Sequence, residues 1–226
     1  MPTDSAFVSH LGVKIPMGLP PLHGAVLKSI ESGRYETREA QAVNALLQPG
    51  ETVLEVGGGI GFLSAYCAKI GQAGRVVTYE ADPGLISVIK EVHAANAVQA
   101  EIRNEVLGDT CGDTTLYRAP SFWGSSTLPP NADSRREAIK VPRADVNQAL
   151  KAIAPDLLII DIEGGEHCLL EAIRTLNARA VVIELHPKVL PAQLLNAVFF
   201  RMFSLGYVYA CSQSRGVIVA FTKVTE

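Results

Sequence analysis

The strongest constraint on the fold is an alternation that begins after Pro49-Gly50. Short β-rich runs ("TVLEV", "RVVTYEA", "AEIRNEVLGD", "PDLLIIDIEGG" and "RAVVIELHP") are separated by stretches with apolar residues at helical spacing. Leu63, Tyr66, Cys67 and Ile70 mark one such face. Leu85, Val88, Ile89 and Val92 mark a second, and Leu169, Ile173 and Leu176 a third. "PDLLIIDIEGG" is almost wholly apolar, as expected of a strand covered by helices on both faces. This pattern predicts an α/β fold with a doubly wound, mostly parallel sheet. The rhythm changes at the end. After a long helix over "PAQLLNAVFFRMFSLG", the runs "YVYACS" and "VIVAFTKV" are separated only by "QSRG". Four residues cannot make a parallel crossover, so this pair is an antiparallel hairpin.

The chain has 226 residues, enough for one large domain with a full core. Residues 1–33, with the Pro/Gly-rich "PMGLPPLHG", read as an irregular N-terminal arm, and 34–226 as the domain. The arm could fold over a site or mediate contacts between copies in a homo-oligomer. "TREAQAVNALLQPG" reads as a helix with Val43, Leu46 and Leu47 on one face, and Asp82-Pro83 as the cap and first turn of the second face's helix. Residues 114–142 break the alternation with Pro, Ser, charges and the single Trp. The ends of this insertion could pair as two extra strands, around a loop of the length that is usually functional or disordered. Within it, "SFWGSSTLPP" makes Trp123, Ser125 and Ser126 candidate substrate contacts; a surface hairpin with a packed Trp is the other reading. The charges of "DSRREAIK" read as a solvated face.

The net charge of −3 gives no electrostatic case for nucleic acid or an anionic membrane. No apolar run approaches a membrane span and no signal peptide is recognisable, so the expected location is cytoplasmic. Cys67, Cys111, Cys168 and Cys211 show no CxxC spacing and read as buried, reduced thiols.

The first strand exits into "VLEVGGGIGF", with Gly57, Gly58, Gly59 and Gly61 in five positions and no Lys or Arg in the loop or the next helical turn. In a doubly wound sheet this exit loop is the leading ligand site. The dinucleotide fingerprint GxGxxG fails because Phe62 stands at its third glycine, and no GK[ST] follows for a P-loop. The glycines allow close approach of backbone to a ligand. Glu55, two residues before them, suits a cation or a hydrogen-bond donor. S-adenosylmethionine, with an ammonium, a sulfonium, a carboxylate and no phosphate, fits such a loop. Glu80, at the end of the second strand, is placed to accept both ribose hydroxyls.

Together "ETVLEVGGGIGFLS", "VVTYEADP", "LLIIDIEGGEHCLLEAI" and "VVIELHP" resemble the ordered motifs of FkbM-type S-adenosylmethionine-dependent methyltransferases, over about residues 33–187. The first two occur across the wider Rossmann-like methyltransferase class; the Asp-x-Glu-Gly-x-Glu segment followed by "IELHP" points to the FkbM type. The resemblance implies a seven-stranded sheet whose last strand is antiparallel. It implies a hydroxyl acceptor on a small molecule or a glycan. It places Tyr35 or Glu36 over the cofactor, Ala81 beside Glu80, and Asn104 and Glu105 at the adenine, ahead of Asp109. The chain departs from the commoner pattern in having Glu55 for Asp and Glu105 for a small residue.

Asp161 and Glu163 alternate after the fourth strand, and Glu184 and His186 after the fifth, so each pair can share a face. Three readings stand for this cluster. In the first it lines the site: Asp161 lies near the methionine end, Glu163 and His186 near the acceptor, with His186 the first choice of general base and Asp161 the second. In the second it binds a divalent metal such as magnesium, which lowers the acceptor's pKa. In the third the acids cap helices and satisfy loop amides, which accounts well for Glu166. Two rivals to an O-methyltransferase are an NAD-dependent oxidoreductase and a non-catalytic S-adenosylmethionine-binding module.

Overall fold

The structure, a computed structural model, describes residues 7–130 and 135–224. Residues 1–6 of the expected arm, and Asp133 and Ser134 of the expected charged face, lie outside the described residues.

The chain opens with β1 (Phe7–His10) and β2 (Val13–Pro16), paired antiparallel, and α1 (Gly24–Glu31). The expected irregular arm is therefore ordered structure. Its apolar residues explain why: Val13, Ile15, Val26 and Ile30 are buried in the same cluster as the next helices. There follow α2 (Thr37–Leu46), β3 (Thr52–Val56), α3 (Phe62–Lys69), β4 (Arg75–Tyr79), α4 (Ile86–Ala95), β5 (Glu101–Arg103) and β6 (Val106–Gly108). The insertion supplies β7 (Gly112–Arg118) and β8 (Glu137–Asp145). The chain closes with α5 (Val146–Ile153), β9 (Leu157–Ile160), α6 (Glu166–Ala172), β10 (Ala180–Glu184), α7 (Ala192–Ser204), β11 (Tyr207–Tyr209) and β12 (Ile218–Lys223).

Among the described residues the main sheet has seven strands in the order β11-β12-β10-β9-β3-β4-β5. β10, β9, β3, β4 and β5 are parallel, and β12 runs antiparallel to both β10 and β11. This is the doubly wound α/β sheet with an antiparallel final strand that the sequence predicts. The strands alternate strictly in what they bury. Val53, Leu157, Ile159, Val182 and Ala220 join one apolar cluster with α2, α3 and the N-terminal elements. Leu54, Val56, Leu158, Ile160, Ile183 and Phe221 join a second, with α5, α6 and α7. Strand order diverges on either side of β3 and β9, so their C-terminal ends form the switch point where ligands bind in such sheets.

β7 pairs antiparallel with β8 from Gly112↔Arg143 to Arg118↔Glu137, so the ends of the insertion do form two strands. β6 joins β8 in parallel to complete a small second sheet. Arg118 clamps this sheet to the main one: Nε and Nη2 donate to the two oxygens of Asp82, 2.9 and 2.5 Å away.

Four local expectations are corrected. α4 starts at Ile86, because Asp82 is not its cap: Oδ1 accepts from Gly84 N (2.8 Å) in a preceding turn. α6 stops at Ala172, and Ile173 and Leu176 are buried beyond it. Its last carbonyls are taken by side chains from elsewhere: Asn147 Nδ2 donates to Ala172 O (2.9 Å), and Arg201 donates to Leu170 O and Ile173 O. α5 escaped the sequence reading although Val146, Ala149, Leu150 and Ile153 have helical spacing and Asp145 caps it through Asn147 N and Gln148 N. Of the cysteines only Cys67 is buried, while Cys111, Cys168 and Cys211 are exposed. Among the described residues no helix is long and apolar enough to cross a membrane.

Candidate active site

The glycine loop turns sharply after β3. Gly57, Gly59 and Gly61 have φ of 99°, 53° and 81°, conformations that favour glycine. At Gly57 the need is also steric, since a Cβ would stand 1.7 Å from the Asp161 carbonyl oxygen. Glu80 holds the loop from the neighbouring strand. Its Oε2 accepts from Gly59 N (2.8 Å) and its Oε1 from Asp82 N (2.7 Å). Each oxygen keeps lone-pair capacity for a further donor. Burial, only partly offset by these amides, pushes its carboxyl up to about 7.

The N-terminal elements close the other side. His10 Nε2 lies 2.6 Å from the Tyr35 carbonyl, and the Tyr35 ring meets Phe62 edge-on at 5.9 Å. Glu36 follows in the left-handed region, φ 44°, before α2. Burial first, and then Glu39 and Glu55, raise its carboxyl well above the usual range. These loops and the insertion enclose a cavity of about 830 Å³ at the C-terminal ends of β3, β4, β9 and β10. Among the described residues nine acidic side chains and two arginines line it. The wall is thus strongly acidic, while the chain as a whole is nearly neutral.

β9 and β10 are adjacent, so the two acid-bearing loops meet. His186 is the hub. Its Nδ1 contacts Oε1 of Glu166, which is fully buried and also accepts from Gly164 N at 3.0 Å. Its Nε2 faces Glu163 Oε2 at 3.4 Å, Asp161 Oδ1 at 3.6 Å and Glu184 Oε1 at 4.0 Å. Burial opposes protonation of His186, but Glu163, Glu166 and Asp161 override it and push the ring up to about 11. Burial and the neighbouring acids raise Glu184 to about 9, and Asp161 also rises, chiefly by burial. Glu163 sits at φ 51°, a second glutamate held in the left-handed region beside the cavity.

Tyr35, Glu36, Gly57, Gly59, Glu80, Ala81, Glu105, Trp123, Ser125, Ser126, Asp161 and Glu163, all singled out from the sequence, line the cavity. Gly58 and Gly61 lie behind it, where added Cβ atoms would strike Thr78 and Ile89. Three other residues are placed differently from expectation. Glu55 is only 1% exposed and lies beneath the glycine loop, not in the cavity wall. Its side chain is on the β3 face that packs on α3, because strand alternation directs it there. Asn104 donates to the carbonyls of Glu80 and Ala81 (2.8 and 3.2 Å), bracing the loop after β4. His186 stands behind Asp161 and Glu163 and does not line the cavity. The serines of the insertion are engaged: Ser125 Oγ accepts from Ala119 N (3.0 Å), and Ser126 Oγ donates to Glu163 O (2.8 Å).

The sequence reading missed Arg34 and Glu39 in the wall and the Glu166–His186 contact. Glu39 stands one helical turn from Glu36, a signal that was available. Arg34 and Glu166 gave none, because their placement depends on tertiary packing.

Residues 55–209 match the family described as Methyltransferase FkbM domain. The chain belongs to the FkbM methyltransferase family. The matched FkbM region runs from the glycine loop through the acid cluster to the final hairpin. The fold is also similar to that of M. jannaschii TYW2, solved in complex with AdoMet. Identity is 13% and the TM-score 0.52, over 97% of this chain and 87% of that one. P. horikoshii TYW2, solved in complex with MeSAdo, gives 15% identity and a TM-score of 0.51, over 96% of this chain and 69% of that one. At these identities the likeness is one of fold. No curated protein matches this FkbM chain.

Proposed function

We propose that this chain is an S-adenosylmethionine-dependent O-methyltransferase acting on a hydroxyl of a small molecule or a glycan. The observation that carries the reading is the acidic cavity at the switch point of an FkbM fold, floored by a glycine loop without a lysine or arginine. Carboxylates and backbone amides suit a ligand with an ammonium, a sulfonium and ribose hydroxyls. Phosphates would be repelled, which disfavours NAD. Glu80 and the loop amides would hold the ribose and the amino acid end, with Asp161 toward the methionine and the Glu105 side at the adenine.

The transfer is an in-line displacement. The acceptor oxygen forms a bond to the methyl carbon, the carbon–sulfur bond breaks, and the electron pair goes to sulfur, leaving a neutral thioether. Holding oxygen and methyl carbon in near-attack geometry supplies most of the acceleration. The hydroxyl proton passes to a carboxylate that faces the cavity, Asp161 or Glu163. His186, which does not line the cavity, stands behind these acids and orients them.

Calorimetric titration of the protein with S-adenosylhomocysteine and with NAD, on wild type and Glu80→Ala, tests the cofactor. The expected result is binding of the homocysteine compound, weakened at least tenfold by the substitution, and no binding of NAD. NAD binding without it overturns the reading. A screen of hydroxylated acceptors for S-adenosylhomocysteine release then separates an enzyme from a binding module; Glu163→Ala, on the acceptor side, is expected to retain binding and lose turnover.

A further inference from the structure

We infer that Asp161, Glu163 and His186 form a binding site for one hard divalent cation, magnesium or manganese, with Glu166 as its outer carboxylate. The inference deepens the O-methyltransferase reading, on which it rests only for the identity of the acceptor.

The argument begins with donors. A protonated imidazole offers two N–H groups. Nδ1 of His186 is committed to Glu166, so Nε2 alone faces three carboxylates, at 3.4, 3.6 and 4.0 Å. These separations exceed the 2.7–3.2 Å of an N–H···O bond. Asp161 Oδ1 is buried with no hydrogen-bond partner among the described residues. A proton on Nε2 therefore serves this geometry poorly. An ion serves it better. One ligand atom from each of Asp161, Glu163 and His186 lies within 4.8 Å of the others. Ligands about 2.1 Å from a magnesium ion can be up to about 4.2 Å apart, so the 3.4 and 3.6 Å separations of His186 from its two acids fit one ion. Oxygen-rich ligation with one imidazole and an open side suits magnesium or manganese.

Glu166 is an independent observation. It is 0% exposed, it holds Nδ1, and its second oxygen finds no partner among the described residues. A buried carboxylate on the far nitrogen of a histidine fixes the ring and aims Nε2. It also raises the basicity of Nε2, as the outer carboxylate of a metal-bound histidine does. Asp161 and Glu163 line the cavity, so the open side of the ion faces the acceptor. A hydroxyl bound there would give up its proton to a carboxylate of the cluster more readily and attack as the oxyanion. The acceptor class would then be one that offers the ion two adjacent oxygens, such as a vicinal diol or a hydroxy-carbonyl compound.

The test is a titration of manganese into the full chain, read by the electron paramagnetic resonance of the free ion, with magnesium as competitor. Wild type is expected to hold one manganese ion per chain in a saturable site that magnesium displaces. Asp161→Asn should weaken it at least tenfold, and Glu166→Gln between tenfold and a hundredfold. Glu105→Gln, at a carboxylate that lines the cavity outside the cluster, should change it less than twofold. Thermal melts establish that each variant is folded, and Asp161→Asn decides the matter if Glu166→Gln is not. The absence of a saturable site, or equal weakening by Asp161→Asn and Glu105→Gln, overturns the inference. Titration of S-adenosylhomocysteine into the same samples separates the two readings. Its binding without a manganese site overturns the ion alone; a manganese site without its binding overturns the O-methyltransferase reading and leaves the ion.

Discussion

At the scale of the residue, the site depends on positions where one atom decides. Gly57 is the clearest. It combines φ 99° with a carbonyl oxygen 1.7 Å from the place of a Cβ. Gly57→Ala must displace either the loop or the Asp161 backbone, and both belong to the site. Overpacking and left-handed strain together cost about 2–4 kcal/mol. For a domain of this size that lowers Tm by about 5–15 °C. Calorimetry should show this fall together with at least tenfold weaker binding of S-adenosylhomocysteine; an unchanged melt would mean that the loop turns by another route. Glu36 and Glu163 show the complementary case, two non-glycine residues held in the left-handed region where they line the cavity.

At the scale of the element, the insertion is tied to the main sheet by specific polar contacts. Arg118 on β7 grips Asp82, whose side chain is 7% exposed, and Ser126 reaches the Glu163 carbonyl. Removing the guanidinium leaves a nearly buried carboxylate with little besides the Gly84 amide. Arg118→Ala is expected to cost about 1–3 kcal/mol. The loss should be localised: hydrogen exchange should accelerate through Gly112–Arg118 and leave the amides of β3 and β9 protected. Uniform acceleration would show that the small sheet is not an independent unit. The N-terminal hairpin and α1 act in the same way from the opposite side, because His10 and Phe62 fix the Tyr35 loop over the cavity.

At the scale of the whole molecule, a buried neutral pair contributes two opposed slopes to the pH dependence. Burial raises Glu55 from its ordinary 4.5 to about 8 and lowers His93 from 6.5 to about 4. Ser64 stands between them, its Oγ 3.0 Å from His93 Nε2 and beside the Glu55 carboxyl. Between pH 4.5 and 8 the folded protein keeps a proton on Glu55 that the unfolded chain releases, so stability falls as pH rises through that window. Between pH 6.5 and 4 the unfolded chain protonates His93 and the folded protein does not, so stability falls as pH drops. From 4.5 to 6.5 the two slopes oppose each other. The contributions of these two groups cancel there and leave losses above 6.5 and below 4.5, each at most about 1.4 kcal/mol per pH unit; Glu80, raised to about 7, and Glu184, raised to about 9, add to the alkaline side. Glu55→Gln is expected to reduce the alkaline loss, so that its melting temperature gains on wild type between pH 4.5 and pH 8. A variant that follows the wild-type profile at pH 8 would assign that loss to another group.

The sequence by itself determined the layered architecture, the direction of the final strand, the glycine loop and the shared face within each acid pair. All of these follow from periodicity and from connection length, which are local properties of the chain. Even α5 was legible, through its 146–149–150–153 spacing and its Asp145 cap. Tertiary structure alone decided which polar groups face the cavity. Glu55 and His186 carry charges suggestive of direct roles. Yet strand alternation buries the first under the loop, and Asp161 and Glu163 screen the second. The arm became a hairpin and a helix because Val13, Ile15, Val26 and Ile30 find apolar partners far away in sequence. The Glu166–His186 contact likewise joins the ends of two adjacent strands, and no spacing along the chain encodes it. Local chemistry writes the pattern of the elements; the exclusion of water between distant segments chooses which side chains meet.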